Sequence, residues 1–131
     1  MNYIGASVNT SATIYGVVAT EIKNGAGKAV KFNSDGKVVL CSTAGEAAIG
    51  VLIAQTPDVV AAGDEVTIQI KDIGPAVAAA AIAVGAEVTV DANGKVKTAA
   101  SGNAVLGQAM TSASADGDFV QIQITKTGYK A

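Results

Sequence analysis

The chain has no arginine, no histidine and no tryptophan, and it carries one cysteine. Each absence removes a class of chemistry. Without His, the commonest general base and the commonest transition-metal ligand are missing. Without Arg, there is no bidentate clamp for phosphate, and the nine Lys are scattered and outnumbered by eleven acids. Nucleic acid is therefore not an expected partner. A lone Cys41 cannot form an internal disulfide. It lies in "KVVLCST", which reads as a strand, and is expected to be a small buried apolar residue rather than a nucleophile. No run is long and apolar enough to span a bilayer, because "IGPAVAAAAIAVGA" is short, Ala-rich and interrupted by Gly and Pro. The first residues lack a basic segment followed by an apolar one, so no signal peptide is expected. No membrane contact follows from this sequence.

What remains is half apolar, but Ala and Val dominate, only three Leu occur and aromatics make up 4%. At 131 residues a single domain is expected. Burial stabilises by about 25 cal/mol per Å², and Ala offers little area. Burial between subunits is therefore expected to add to the stability of a protomer.

The chain repeats itself. "GDEVTIQI" at 63–70 returns as "GDFVQIQI" at 117–124. "SDGKVVL" at 34–40 aligns with "ANGKVKT" at 92–98, and "AAIGVLI" at 47–53 with "AVLGQAM" at 104–110. Three blocks in one order, with length changes confined to loops, indicate two duplicated structural units. Two copies suit the halves of one barrel or sandwich rather than a solenoid.

Each half reads as a β-meander. A strand, "GKAVKFN" or "GAEVTVD", leads to a two-residue type I′ turn at Asp35-Gly36 or Asn93-Gly94. A second and a third strand follow. Gly63-Asp64 and Gly117-Asp118 then turn the chain into a closing strand, in which Val66, Ile68 and Ile70, or Val120, Ile122 and Ile124, alternate with polar residues. Gly50 and Gly107 fall inside strand patterns, which marks a bulge or a close backbone approach. The expected fold is all-β and mainly antiparallel: a compact barrel or sandwich of two repeated meanders with an extended N-terminal arm. Residues 1–26 are expected as the arm, and 27–131 as one β domain. Its pseudo-repeats span 27–72 and 85–127, joined by 73–84. That join reads equally as one short helix or as a strand running into a turn.

Few constellations could carry chemistry. Asp116 and Asp118, with Ser112 and Ser114 nearby, lack the ligand spacing of a calcium loop and read as a solvated turn. Asp58, Asp64 and Glu65 form a similar exposed acidic corner. Lys37 and Lys95 follow hairpin turns, as the modified lysine of a lipoyl or biotin carrier does, but "DGKVV" and "NGKVK" lack that motif's flanks. An enzyme would need a site of Asp, Glu, Lys, Ser and Tyr alone. No catalytic residue, cofactor, metal or small-molecule substrate is expected.

Residues 81–124, "AIAVGAEVTVDANGKVKTAASGNAVLGQAMTSASADGDFVQIQI", resemble the head decoration (capsid cement) proteins of tailed bacteriophages. The first part is filled by Ala81, Ile82, Gly85, Val88, Thr89, Asp91 and Gly94. The second is filled by Leu106, Gly107, Ala109, Ala113, Ser114, Asp116, Gly117, Asp118, Val120 and Ile122. The resemblance implies a compact β-barrel-like fold on the outer surface of a virion, made in the host bacterial cytoplasm. It also implies binding to the major capsid protein, commonly as a homotrimer over threefold and quasi-threefold junctions. On this reading the arm makes the capsid contact through Asn2, Tyr3, Ile4, Val8, Ile14 and Tyr15, since aromatic anchors dominate interfaces. The other reading is a different virion β-domain, a tail tube or fibre component.

Overall fold

The structure, a computed structural model, describes residues 11–131. Asn2, Tyr3, Ile4 and Val8 lie outside the described residues. Twelve strands and no helix occur among those described. Alternating Val and Ile with polar partners favour strands throughout, and the Ala-rich stretch that helix propensity would favour is overridden. Residues 73–84 instead open with a strand.

Two five-stranded antiparallel sheets form the molecule. The first uses β1 (Thr13–Val17), β3 (Ala29–Phe32), β4 (Val38–Leu40), β5 (Gly50–Leu52) and β7 (Glu65–Gln69), in the order β1-β7-β5-β3-β4. The second uses β8 (Asp72–Val77), β9 (Glu87–Val90), β10 (Val96–Thr98), β11 (Ala104–Ala109) and β12 (Phe119–Tyr129), in the order β8-β12-β11-β9-β10. A two-stranded ribbon joins β2 (Ile22–Lys23) to β6 (Val59–Val60). Neither sheet closes into a barrel. Each curls until its outer strands meet at one parallel bridge, Val18 with Val38 and Ala78 with Val96.

The two sheets have the same order, so β1 corresponds to β8. Thr13–Val17 fall in the range read as an arm, and Asp72–Val77 overlap the range read as a join. Both are the first strand of their half. Composition hid this, because "TIYGV" and "DIGPAV" share almost no residues while sharing one place in the sheet.

The Gly-Asp phrase acts as a buckle on that first strand. Val18 N donates to Asp64 O and Gly63 N to Val18 O; in the second half Ala78 N donates to Asp118 O and Gly117 N to Ala78 O. Gly63 and Gly117 hold φ of 90° and 92°, and the carboxylates of Asp64 and Asp118 accept backbone N–H groups of their own turns.

The hairpins at 33–37 and 91–95 differ from expectation. Only Gly36 and Gly94 have positive φ, while Asp35 and Asn93 do not. Asn33 N donates to Lys37 O, and Asp91 N to Lys95 O, so each loop holds three residues, a type I turn followed by a left-handed Gly. The side chains of Asn33 and Asp91 set this geometry by accepting two backbone N–H groups each. Gly50 and Gly107 are close approaches: a Cβ at either would overlap the carbonyl oxygen of Gln69 or Gln123.

The first half encloses Val18, Ile22, Val30, Val38, Leu52, Val60, Val66 and Ile68. The second encloses a larger core that also takes in Ala29, Cys41 and Val51 from the first half. Those three form the apolar part of the junction between halves. Backbone bonds complete it: Val77 N to Gly27 O, Ala29 N to Gly94 O, Gly45 N to Val90 O, and Ala104 N to Gly45 O.

Candidate functional site

No group of three or more His, Cys, Asp or Glu able to hold a metal occurs among the described residues. Cys41 is buried, and burial pushes its thiol up to about 12, with Glu46 adding to the shift against Lys31. It stays a protonated core thiol at any physiological pH. Three of the acids flagged in the sequence, Asp64, Asp116 and Asp118, have structural work. Asp116 pairs with Lys95 at 2.8 Å, which raises the Lys95 pKa, and Asp118 Oδ2 accepts from Ser114 N and Ala115 N. Lys37 is exposed beside its turn, whereas Lys95 is tied to Asp116.

One surface pocket of about 170 Å³ sits where the halves meet, lined by Ala47, Ala48, Ala104, Val105, Lys126 and Tyr129 among others. Lys126 Nζ is spent on Ile49 O at 2.9 Å. Lys126 and Tyr129 are the titratable side chains of its lining, and no Asp, Glu, His or Cys joins them there. No described helix is long and apolar enough to cross a membrane.

The surface features that stand out lie on β1. The proposed contact residues Ile14 and Tyr15 lie on opposite faces of β1. Ile14 packs against the first core, while Tyr15 is 74% exposed. Strand alternation decides this, and it leaves Ile14 to packing.

β1 is also an edge. Its even-numbered residues turn their backbone groups toward β7, as Ala12 O and Val18 N and O show by their bonds. Tyr15 therefore directs its N–H and C=O away from the sheet. The corresponding edge of β8 is closed. Pro75, the counterpart of Tyr15, has no N–H, and Val77 N is bonded to Gly27 O. Among the described residues no strand lies beyond β1, and such an edge is a template for another strand. Sequence reading could not see this contrast, because the correspondence of Tyr15 with Pro75 appears only once the sheets are aligned.

A family model of phage cement proteins matches residues 36–124, from the first hairpin turn to the closing strand of the second half. No curated protein matches. Among solved structures, the fold resembles the head fiber gp8.5 N base in bacteriophage phi29, with a TM-score of 0.65 and 15% identity over 91% of this chain and 98% of that one. At that identity the likeness is one of fold. The family match spans more than half of the chain and covers both Gly-Asp buckles and both close-approach glycines, and it places this chain in the phage cement protein family.

Proposed function

We propose that the protein binds the outer surface of a phage capsid and strengthens the shell by bridging neighbouring major capsid protein subunits. The family match carries this reading, and a fold shared with a head fibre base agrees with it. Packaged DNA pushes outward and tends to part capsomers at their junctions. A bridging protein must lose its contacts before they separate. An ordinary contact buries about 1,600 Å², and engaging several subunits at once raises effective concentration without one very tight contact. A homotrimer matches the local symmetry of threefold and quasi-threefold junctions.

The contact is assigned to residues 2–15, leading into the open edge at Tyr15. Backbone pairing at such an edge supplies affinity, and the exposed ring supplies an anchor. Deleting residues 2–15, or substituting Tyr15→Ser, is expected to reduce occupancy on filled heads measured by quantitative gel and electron microscopy. Undiminished occupancy refutes the assignment. The head fibre likeness favours a second reading, a capsid-bound base that carries a projecting fibre. Fractionated lysates separate the readings: cement sediments with heads alone, a fibre base with heads bearing projections, and a tail component with tails.

A further inference from the structure

The internal junction runs one way. The first half contributes its Gly27, Ala29 and Gly45 backbone, and the second contributes Val77, Val90 and Gly94. A two-fold relation would also bring the second half's counterparts against the first half's. Sheet register and turn bonds identify those counterparts. Gly85 and Glu87 correspond to Gly27 and Ala29; Val17, Phe32 and Gly36 correspond to Val77, Val90 and Gly94. They do not meet. The junction is therefore heterologous, and it leaves one unused copy of each of its surfaces.

Among the described residues the unused socket on the first half is bare. Val90 is fully buried, but Phe32 is 43% exposed; Val17 is 39% exposed. A Cβ at Gly94 meets Ala29 O and Lys28 Cβ, whereas at Gly36 nothing lies within 4 Å. The unused plug on the second half is exposed as well: Gly27 is buried and Gly85 is not. Gly85 O, the counterpart of the Gly27 oxygen that accepts from Val77, takes the Gln108 side chain among the described residues. On this plug Glu87 and Gln108 stand where the inner plug has Ala29 and Val51. Such a surface is more polar, as suits subunits that are soluble before they meet.

We infer that the socket around Val17, Phe32 and Gly36 receives the Gly85–Glu87 edge of a second copy of this chain, repeating the internal junction between subunits. Glu87, which pairs with Lys130 of its own subunit at 3.1 Å, then arrives beside Lys37, which follows Gly36 directly, so its carboxylate is shared between two cations. Repeated head to tail, the contact closes a ring if the rotation allows. This rests on the capsid-binding reading only for its setting, and it names the surface through which copies join.

The test is a cross-link. Internally, the Gly94 Cβ position lies 3.5 Å from Lys28 Cβ, within disulfide reach. The equivalent pair between subunits is Gly36 and Ala86. Full-length G36C/A86C, mildly oxidised both free and on heads, should yield covalent oligomers on a non-reducing gel, and each single variant should not. Separately, V17D should lower the mass by light scattering, or on heads the occupancy, with unchanged circular dichroism. Absence of cross-links in both settings overturns the inference, as does an assembly indifferent to V17D, which would place another segment, such as residues 1–10, in the socket. Head binding with no cross-link spares the functional reading. Cross-linking without head binding spares the junction alone.

Discussion

Removing the Glu46 carboxylate should weaken the protein out of proportion to a surface charge. Its Oε1 accepts from Lys31 Nζ at 2.7 Å, and its Oε2 accepts from Ser42 N and Thr43 N at 2.8 Å each. These bonds shape the 42–45 loop. That loop delivers Gly45, whose N–H and C=O bond Val90 O and Ala104 N of the other half at 2.9 Å. Glu46 therefore braces the junction from behind. Hydrogen bonds to a charged group are worth about 1.5–3 kcal/mol each when lost from a buried site. The pair is only partly shielded, so about 2 kcal/mol in total is expected for Glu46→Ala. For a domain of this size that is roughly 5–10 °C in Tm. Glu46→Gln keeps one acceptor oxygen and should cost about half as much. The pH dependence follows. Burial alone would raise the Glu46 pKa, but the Lys31 bond and the Thr43 and Ser42 N–H groups outweigh it and hold the carboxyl below its ordinary value. A folded pKa below the unfolded one means that the contribution is present above the unfolded value, about 4.3. It is lost as pH falls through the folded one. Thermal melts from pH 7 to pH 3 should show wild type and Glu46→Gln converging at the acid end. A Glu46→Ala shift under 1 °C at pH 7, or parallel curves for wild type and Glu46→Gln, would refute the bracing role.

Three further outcomes are expected. Gly107→Ala should cost about 2–4 kcal/mol in denaturant melts, because the new methyl overlaps the Gln123 carbonyl; Gly36→Ala, with open space but φ of 75°, should cost only about 1–2 kcal/mol. Thr89 is fully buried and its hydroxyl has no partner among the described residues, so Thr89→Val should raise stability by about 1 kcal/mol. Cys41, buried and protonated, should resist a thiol reagent at pH 8 in native protein and react at once in denaturant; rapid native labelling would show that the junction opens freely.

The closing strands were legible because "VTIQI" and "VQIQI" alternate strictly, and the structure buries Val66, Ile68, Val120, Ile122 and Ile124, with Ile70 partly buried. The close approaches at Gly50 and Gly107 were legible because Gly interrupts an otherwise apolar strand. The hairpin turns were placed by Asp-Gly and Asn-Gly, but their geometry was missed. The deciding residues are Asn33 and Asp91, two positions earlier, whose side chains compete for the turn amides. The first strands were barely legible: 73–84 reads equally as a helix or a strand, and 13–17 falls in the arm. β1 and β8 gain their place from the buckle bonds to Gly63-Asp64 and Gly117-Asp118, which are tertiary, and not from any pattern of their own. The proposed contact residues suffered the same way. Ile14 and Tyr15 are adjacent apolar residues in the sequence, and only the sheet separates the one that packs from the one that projects.

Comparing the two halves position by position separates folding from assembly. Inside the cores the copies agree: Val30 with Val88, Val38 with Val96, Val66 with Val120 and Ile68 with Ile122 are all buried and apolar. Conserving volume there satisfies each half's own packing. On the junction surfaces the copies disagree, and the disagreement has a direction. Where the second half's plug meets no internal partner, apolar Ala29 and Val51 give way to Glu87 and Gln108, as exposure demands. Where the first half's socket meets no internal partner, the same rule would replace Val17 and Phe32 with polar residues. It does not; the buried Val90 is answered by a larger, more exposed Phe32. An exposed aromatic at the end of a strand, beside an exposed Val17, is what an interface core looks like before its partner arrives. The polar plug and the apolar socket thus fit an order of assembly in which each chain folds around its inner junction first and joins its neighbours through the outer one afterwards.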